Sequence, residues 1–144
     1  MPNFVRPLLS ASLILAFASC SDVTAPKTVS EAQSLWRSKN ITSYSYVISV
    51  GCFCLLPPPA TVEVFAGQVS RVTVVATGAQ LPITGYFTID EQFDHILTAT
   101  TPPTVEFDRA LGYPTKIEHC CMADDSGSIT TISSLVRLDV VTIQ

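Results

Sequence analysis

Alternation of apolar and polar positions is strongest from Tyr44 to Cys54, YSYVISVGCFC. A two-residue period puts Tyr44, Tyr46, Ile48 and Val50 on one face of a strand and Ser45, Val47 and Ser49 on the other. Carried past Gly51, the same register places Cys52 and Cys54 on the tyrosine face, the natural core side. Pro57-Pro58-Pro59 forbids continuation within a central strand. Thr61–Phe65 and Val69–Val75 read as a hairpin turning at Ala66-Gly67, and Ala76–Pro82 as loop. Val105 and Phe107 share a face of a further strand, and Ala110–Pro114 turns the chain. Thr115–Met122 then returns with Ile117, His119 and Cys121 on one face. Ala123–Ser128 reads as an exposed turn before a last long strand, Ile129–Ile143, with alternation around Val136, Leu138 and Val140.

Two stretches switch to a helical period. Ser30 with Gln33 forms a capping box ahead of a short helix whose apolar face is Ala32, Leu35 and Trp36, fraying near Asn40. Trp36, the only tryptophan, reads as a core anchor. Thr88 with Glu91 forms a second capping box, and Ile89, Phe93, Ile96 and Leu97 predict a helix over Ile89–Thr98 that Thr101-Pro102-Pro103 ends. The expected fold is α+β: an antiparallel sheet of about six strands with two short helices packed on one face, in the order α-βββ-α-βββ. Duplication of a helix-plus-three-strand unit would produce that order, although the halves share no residue pattern.

Residues 1–20 follow neither period. Arg6 supplies a positive start and Leu8–Phe17 an apolar run, too short for a bilayer that needs about 20 residues. Ala18 and Ser19 then precede Cys20. Phe17-Ala18-Ser19-Cys20 resembles the lipobox of a bacterial lipoprotein signal, with Phe17 where Leu is more usual. That resemblance implies cleavage before Cys20, a diacylglycerol on its thiol and acylation of the new amino group, and several acyl chains hold a protein firmly at a membrane. Ser21 stands where a retention signal would carry Asp, which implies the periplasmic face of the outer membrane in a Gram-negative cell. The expected organisation is a signal peptide over 1–19, a lipidated N-terminus and tether over 20–28, and a single α+β domain over 29–144.

With 144 residues the chain is long enough to bury one real core. Charged residues make up 14% of it, against roughly 25% in an average soluble chain. Its net charge is −4, and Lys and Arg are scattered singly. A phosphate backbone would find no basic stripe, which argues against nucleic acid. The expected partners are the membrane, through the lipid, and an envelope protein; no cofactor beyond the covalent lipid on Cys20 is expected.

Of the five cysteines, Cys52, Cys54, Cys120 and Cys121 remain after Cys20. An exported chain with an even number of them usually forms disulfides. Bonds within Cys-Phe-Cys or Cys-Cys close strained rings, whereas a bridge between the two pairs closes a large loop and stabilises by about 2–4 kcal/mol. Cys120 and Cys121 face opposite ways on a regular strand while Cys52 and Cys54 share a face. One bridge involving Cys121 is therefore expected, a second only with a bulge. The alternative is a soft-metal site in which Cys52, Cys54, His119, Cys120 and Cys121 hold Cu(I) or Zn. Against it stand the Cys-x-Cys spacing and an oxidising compartment.

Carboxylates add little chemistry. Asp90, Glu91 and Asp94 crowd one helix, with Glu91 capping it and His95 one turn on, in place for an exposed ion pair. Asp124-Asp125 sits in a turn with too few ligands for calcium. No Gly-x-Ser-x-Gly, P-loop or His-Glu-x-x-His motif occurs, so an enzyme is not expected. Asn40-Ile41-Thr42 matches a glycosylation acceptor and reads as chance in a bacterium. Tyr113 in Leu-Gly-Tyr-Pro either meets a partner at a turn or folds back over the sheet.

Several fragments share order and spacing with one family. They are Tyr44-Ser45-Tyr46 leading to Cys52-Phe53-Cys54, Val62-Glu63-Val64 with Gly67-Gln68-Val69, Thr88-Ile89-Asp90 with Phe93, Phe107-Asp108 through Leu111-Gly112-Tyr113-Pro114-Thr115, and Ala123-Asp124-Asp125. From Leu35 to Leu138 the chain resembles the small bacterial secreted proteins and lipoproteins of a domain of unknown function, DUF6174. It departs at His119-Cys120-Cys121, where an acidic residue leads toward the Asp-Asp turn, and at Ser126, where another acidic residue follows it. The resemblance implies no activity and no catalytic residues. The expected role is a membrane-anchored, non-catalytic binding or structural domain of the envelope, stabilised by a disulfide and meeting its partner through the sheet or the Leu111–Pro114 turn.

Overall fold

The computed structural model describes residues 25–52, 57–119 and 127–138. Among them are helices α1 (Val29–Ser38) and α2 (Ile89–Thr98) and strands β1 (Tyr44–Cys52), β2 (Ala60–Phe65), β3 (Gln68–Val74), β4 (Gln80–Leu81), β5 (Thr104–Phe107), β6 (Pro114–His119) and β7 (Ser128–Arg137). All seven strands pair antiparallel in one sheet, ordered β4-β3-β2-β1-β7-β6-β5. The domain is thus mostly β, which corrects the expectation of about six strands in the order α-βββ-α-βββ. The unforeseen strand is β4, inside the stretch read as the Ala76–Pro82 loop. Two residues are too few to show alternation. The turn that returns Ala79 to Val74 creates the strand by pairing Leu81 with Val72 and Gln80 with Thr73. With four strands before α2 and three after it, the element order no longer repeats a helix-plus-three-strand unit.

β1 is the middle strand, and its tyrosine face is the buried one. Tyr44 lies beside Val64, Tyr46 beside Val62, and Ile48 between Ala60 and Ile132. Trp36 of α1 and Ile89 and Phe93 of α2 join them in one core, so both helices cover this inner face. The outer face carries Ser45, Val47 and Ser49 with Thr61, Thr73, Thr131 and Ser133.

The helix caps follow local chemistry. α2 starts at Thr88, whose hydroxyl accepts from the Glu91 amide while Glu91 accepts from the Thr88 amide. α1 is capped by Thr28 with Glu31 in the same way, two residues earlier than the Ser30–Gln33 box. Thr28 already has extended backbone angles, which leaves Ser30 inside the first turn. Leu97, expected on the apolar stripe of α2, is 54% exposed.

Turns and bulges set the register. Ala66 and Gly67, both at positive φ, close the β2–β3 hairpin. β7 departs from simple alternation: Val47 lies opposite Ser133 but Ser45 opposite Val136, and Ser134 takes φ +54°. The extra residue turns Leu135 toward the core and leaves Val136 and Leu138 outward and exposed, the reverse of the expected alternation. Residues 120–126 and 139–144, which include Met122, most of the expected Ala123–Ser128 turn, Val140 and Ile143, lie outside the described residues.

Candidate functional site

β1 and β6 run in the same direction on either side of β7, so both end at one edge of the sheet. Cys52 and His119 each lie opposite Ser128. Two strand spacings put their backbones about 10 Å apart. Ser128 is the first residue of β7. Cys52 does not present a free thiol. Cys54, Cys120 and Cys121 follow these strand ends in sequence and, like Cys20, lie outside the described residues.

Beside this row, α2 and the sheet enclose a cleft of about 280 Å³. Phe87, Ile96 and Ile117 form its apolar lining, and Gln92, His95, His119 and Thr130 its polar lining. Both histidines of the chain therefore meet at one cleft. The His95 ring lies 4.3 Å from that of Phe87, centroid to centroid, and Glu91 is engaged at the helix cap. The expected Glu91–His95 ion pair is thus replaced by an aromatic contact. The cleft role of His95 had a signal in the sequence: Gln92, His95 and Ile96 share one helical face.

Two tyrosines fix the wall that α2 provides. Tyr44 Oη accepts from the Ile89 amide at 2.8 Å, and Tyr46 Oη donates to the Phe87 carbonyl. Gln92 is 7% exposed and its side chain bonds the Tyr46 hydroxyl. Burial, more than any charge nearby, holds both phenols well above the ordinary tyrosine range. The start of α2 is thereby pinned over β1.

The model of the Family of unknown function (DUF6174) matches residues 28–135. The chain belongs to that family. The match runs from the Thr28 cap of α1 to Leu135 at the β7 bulge, so it contains both helices, strands β1 to β6, most of β7 and the described lining of the cleft. No curated protein and no solved structure matches the chain.

Elsewhere in the DUF6174 domain the candidates have structural surroundings. Tyr113 is 8% exposed, its ring set edge-on to Trp36 at 6.5 Å. Asp108 Oδ1 accepts from the Ala110 and Leu111 amides and shapes the turn before it. Gly112 has φ +84°, and a Cβ there would stand 2.6 Å from the Ala32 carbonyl. The Leu111–Pro114 turn is therefore pressed onto α1. Asp90 links the helices, accepting from Trp36 Nε1 at 3.2 Å and from Arg37 Nε at 3.4 Å. Among the described residues no three His, Cys, Asp or Glu side chains gather to hold a metal, and no helix is long and apolar enough to cross a membrane.

Proposed function

We propose that the chain is a bacterial lipoprotein of the cell envelope, held by lipid on Cys20, whose domain is a non-catalytic binding module stabilised by a disulfide. The lipobox-like Phe17–Cys20 supports the anchor, which in a Gram-negative cell lies on the periplasmic face of the outer membrane. The observation that carries the disulfide is the shared row in which Cys52 and His119 flank Ser128 at the start of β7. In sequence Cys54 follows one of these strand ends and Cys120 and Cys121 the other, which supports a bridge between the pairs. Because the Leu111–Pro114 turn is packed against α1, the sheet is the surface that remains for an envelope protein partner, with Tyr113 serving the core. The outer face, dressed in serine and threonine, suits hydrogen bonding to such a partner.

A second reading keeps the same atoms. Cys52 and His119 share a face at one end of the sheet, and only in reduced protein would they form, with Cys54, Cys120 and Cys121, a soft-metal site for Cu(I) or Zn. Intact mass of the membrane-extracted protein, alkylated with and without prior reduction, separates the two. The expected result is a chain starting at Cys20 with acyl chains added and with labels that appear only after reduction. Label on Cys52, Cys54, Cys120 and Cys121 without reduction would replace the disulfide by the metal site. An unlipidated mass would remove the anchor.

A further inference from the structure

We propose that the cleft between α2 and the β6–β7 pair binds a short-chain organic acid, its carboxylate held by His95 and His119 and its hydrocarbon laid against Ile96 and Ile117. This ligand class deepens the binding-module reading and rests on it, but depends on neither the lipid nor the disulfide.

Three observations carry the inference. First, the only two histidines of the chain, separated by a helix end and two strands, line one cleft. Both are exposed at its rim. An imidazole offers an N–H donor in either protonation state, and the Thr130 hydroxyl adds another. Second, no carboxylate is among the described residues that line the cleft. Glu91 is occupied at the α2 cap, and Glu118 pairs with Lys116 at 2.9 Å on the opposite face of the sheet. The described polar lining an incoming anion meets, Gln92, His95, His119 and Thr130, offers it donors. Third, the floor is apolar and buried, with Ile96 at 7% and Ile117 at 4% exposure. The volume of about 280 Å³ lies just below the range of roughly 300–1,000 Å³ typical of drug-sized ligands, which points to a smaller molecule. The Phe87 contact and the Tyr46–Phe87 hydrogen bond hold this wall in place before any ligand arrives. A metal ion fits less well, because no third ligating side chain joins the two imidazoles among the described residues.

Because the chain carries only two histidines, their ring Cε1–H signals report on the cleft by NMR. The full chain in phosphatidylcholine nanodiscs is titrated with hexanoate, with hexylamine as the cationic control and Zn²⁺ as the competing chemistry. Both signals are expected to shift saturably with one dissociation constant on hexanoate and to stay in place on hexylamine. His119→Ala should weaken hexanoate binding, read from His95, by about tenfold, as expected for loss of one hydrogen bond to a charged group. His95→Ala should do the same when read from His119. Equal shifts with hexylamine, movement of one signal alone, or no loss on either substitution would overturn the proposal. So would a site that takes Zn²⁺ through both rings and ignores hexanoate. Since the mass measurement reads lipid and sulfur separately, a failed titration leaves the anchor and disulfide standing.

Discussion

The inner face of the sheet is sealed at one end and open at the other, although β1 runs through both with unchanged alternation. At the sealed end Tyr44 and Tyr46 are 1% and 0% exposed. Trp36 meets Tyr44 edge-on at 5.3 Å, Tyr44 stacks on Tyr46 at 6.2 Å, and Tyr113 closes the other side of Trp36. At the open end Ile48, Val50 and Cys52 point the same way but are only half-buried. The strand is equally apolar along that face; the helices are not equally placed over it. α1 and the pinned start of α2 cover the tyrosines, whereas beyond them α2 leaves a cleft bordered by His95 and His119. One end is built for stability, and the other keeps apolar floor and polar rim accessible.

Substitutions at the sealed end should separate the two regions most sharply. Trp36→Ala removes the ring shared by α1, β1 and the Gly112–Tyr113 turn and is expected to cost about 3–5 kcal/mol in chemical denaturation. Should the loss stay below about 1 kcal/mol, the end is not sealed in solution. Gly112→Ala comes next, at about 2–4 kcal/mol, because the new methyl group meets the Ala32 carbonyl while the backbone stays at positive φ. A neutral result would mean that the turn does not rest on α1.

Alkali tests the same aromatic column without mutation. Tyr44 and Tyr46 keep their protons in the fold at pH values where the unfolded chain, with its ordinary value of 10.0, releases them. Their contribution is present in full below that value and is lost as pH rises above it. Denaturation midpoints should therefore fall above pH 10.0, and two of the four tyrosines should give phenolate absorbance only with unfolding. More than two phenols ionising in the intact fold would show the column to be wet.

Smaller effects sharpen the boundary. Thr88→Ala removes the cap of α2 and should cost about 1 kcal/mol, with Gln92 and His95 shifting in NMR spectra because the helix start is no longer held. His95→Asn and His119→Asn, at the open end, should change stability by less than about 0.5 kcal/mol. A larger loss at either would make the cleft part of the core.

The contrast explains which features were legible beforehand. Ile89–Thr98 with its Thr88 cap matches the expectation residue for residue, because an N-cap and a helical stripe are local signals. The hairpin around Ala66-Gly67 was equally readable, since the turn chemistry occupies adjacent residues. β4 was not, because its existence depends on the neighbouring edge of β3. The β7 bulge also escaped: only pairing with β1 decides that Leu135 turns inward and Val136 outward. Helical spacing pairs His95 with Glu91, whereas the fold sets its ring against Phe87 and brings it to one cleft with His119.

From the sequence alone came the family resemblance, both helices, the tyrosine face of β1 and the lipobox-like start. These depend on residues close together in the chain, where period, capping and spacing act directly. Only the tertiary structure decided the seven-strand order, the outward turn of Val136, the burial of Tyr113 and the meeting of the two histidines at one cleft. Each of these depends on which strand lies next to which and on where the helices stop covering the sheet. Long-range packing sets both, and alternation along a strand says which way a side chain points without saying what stands above it.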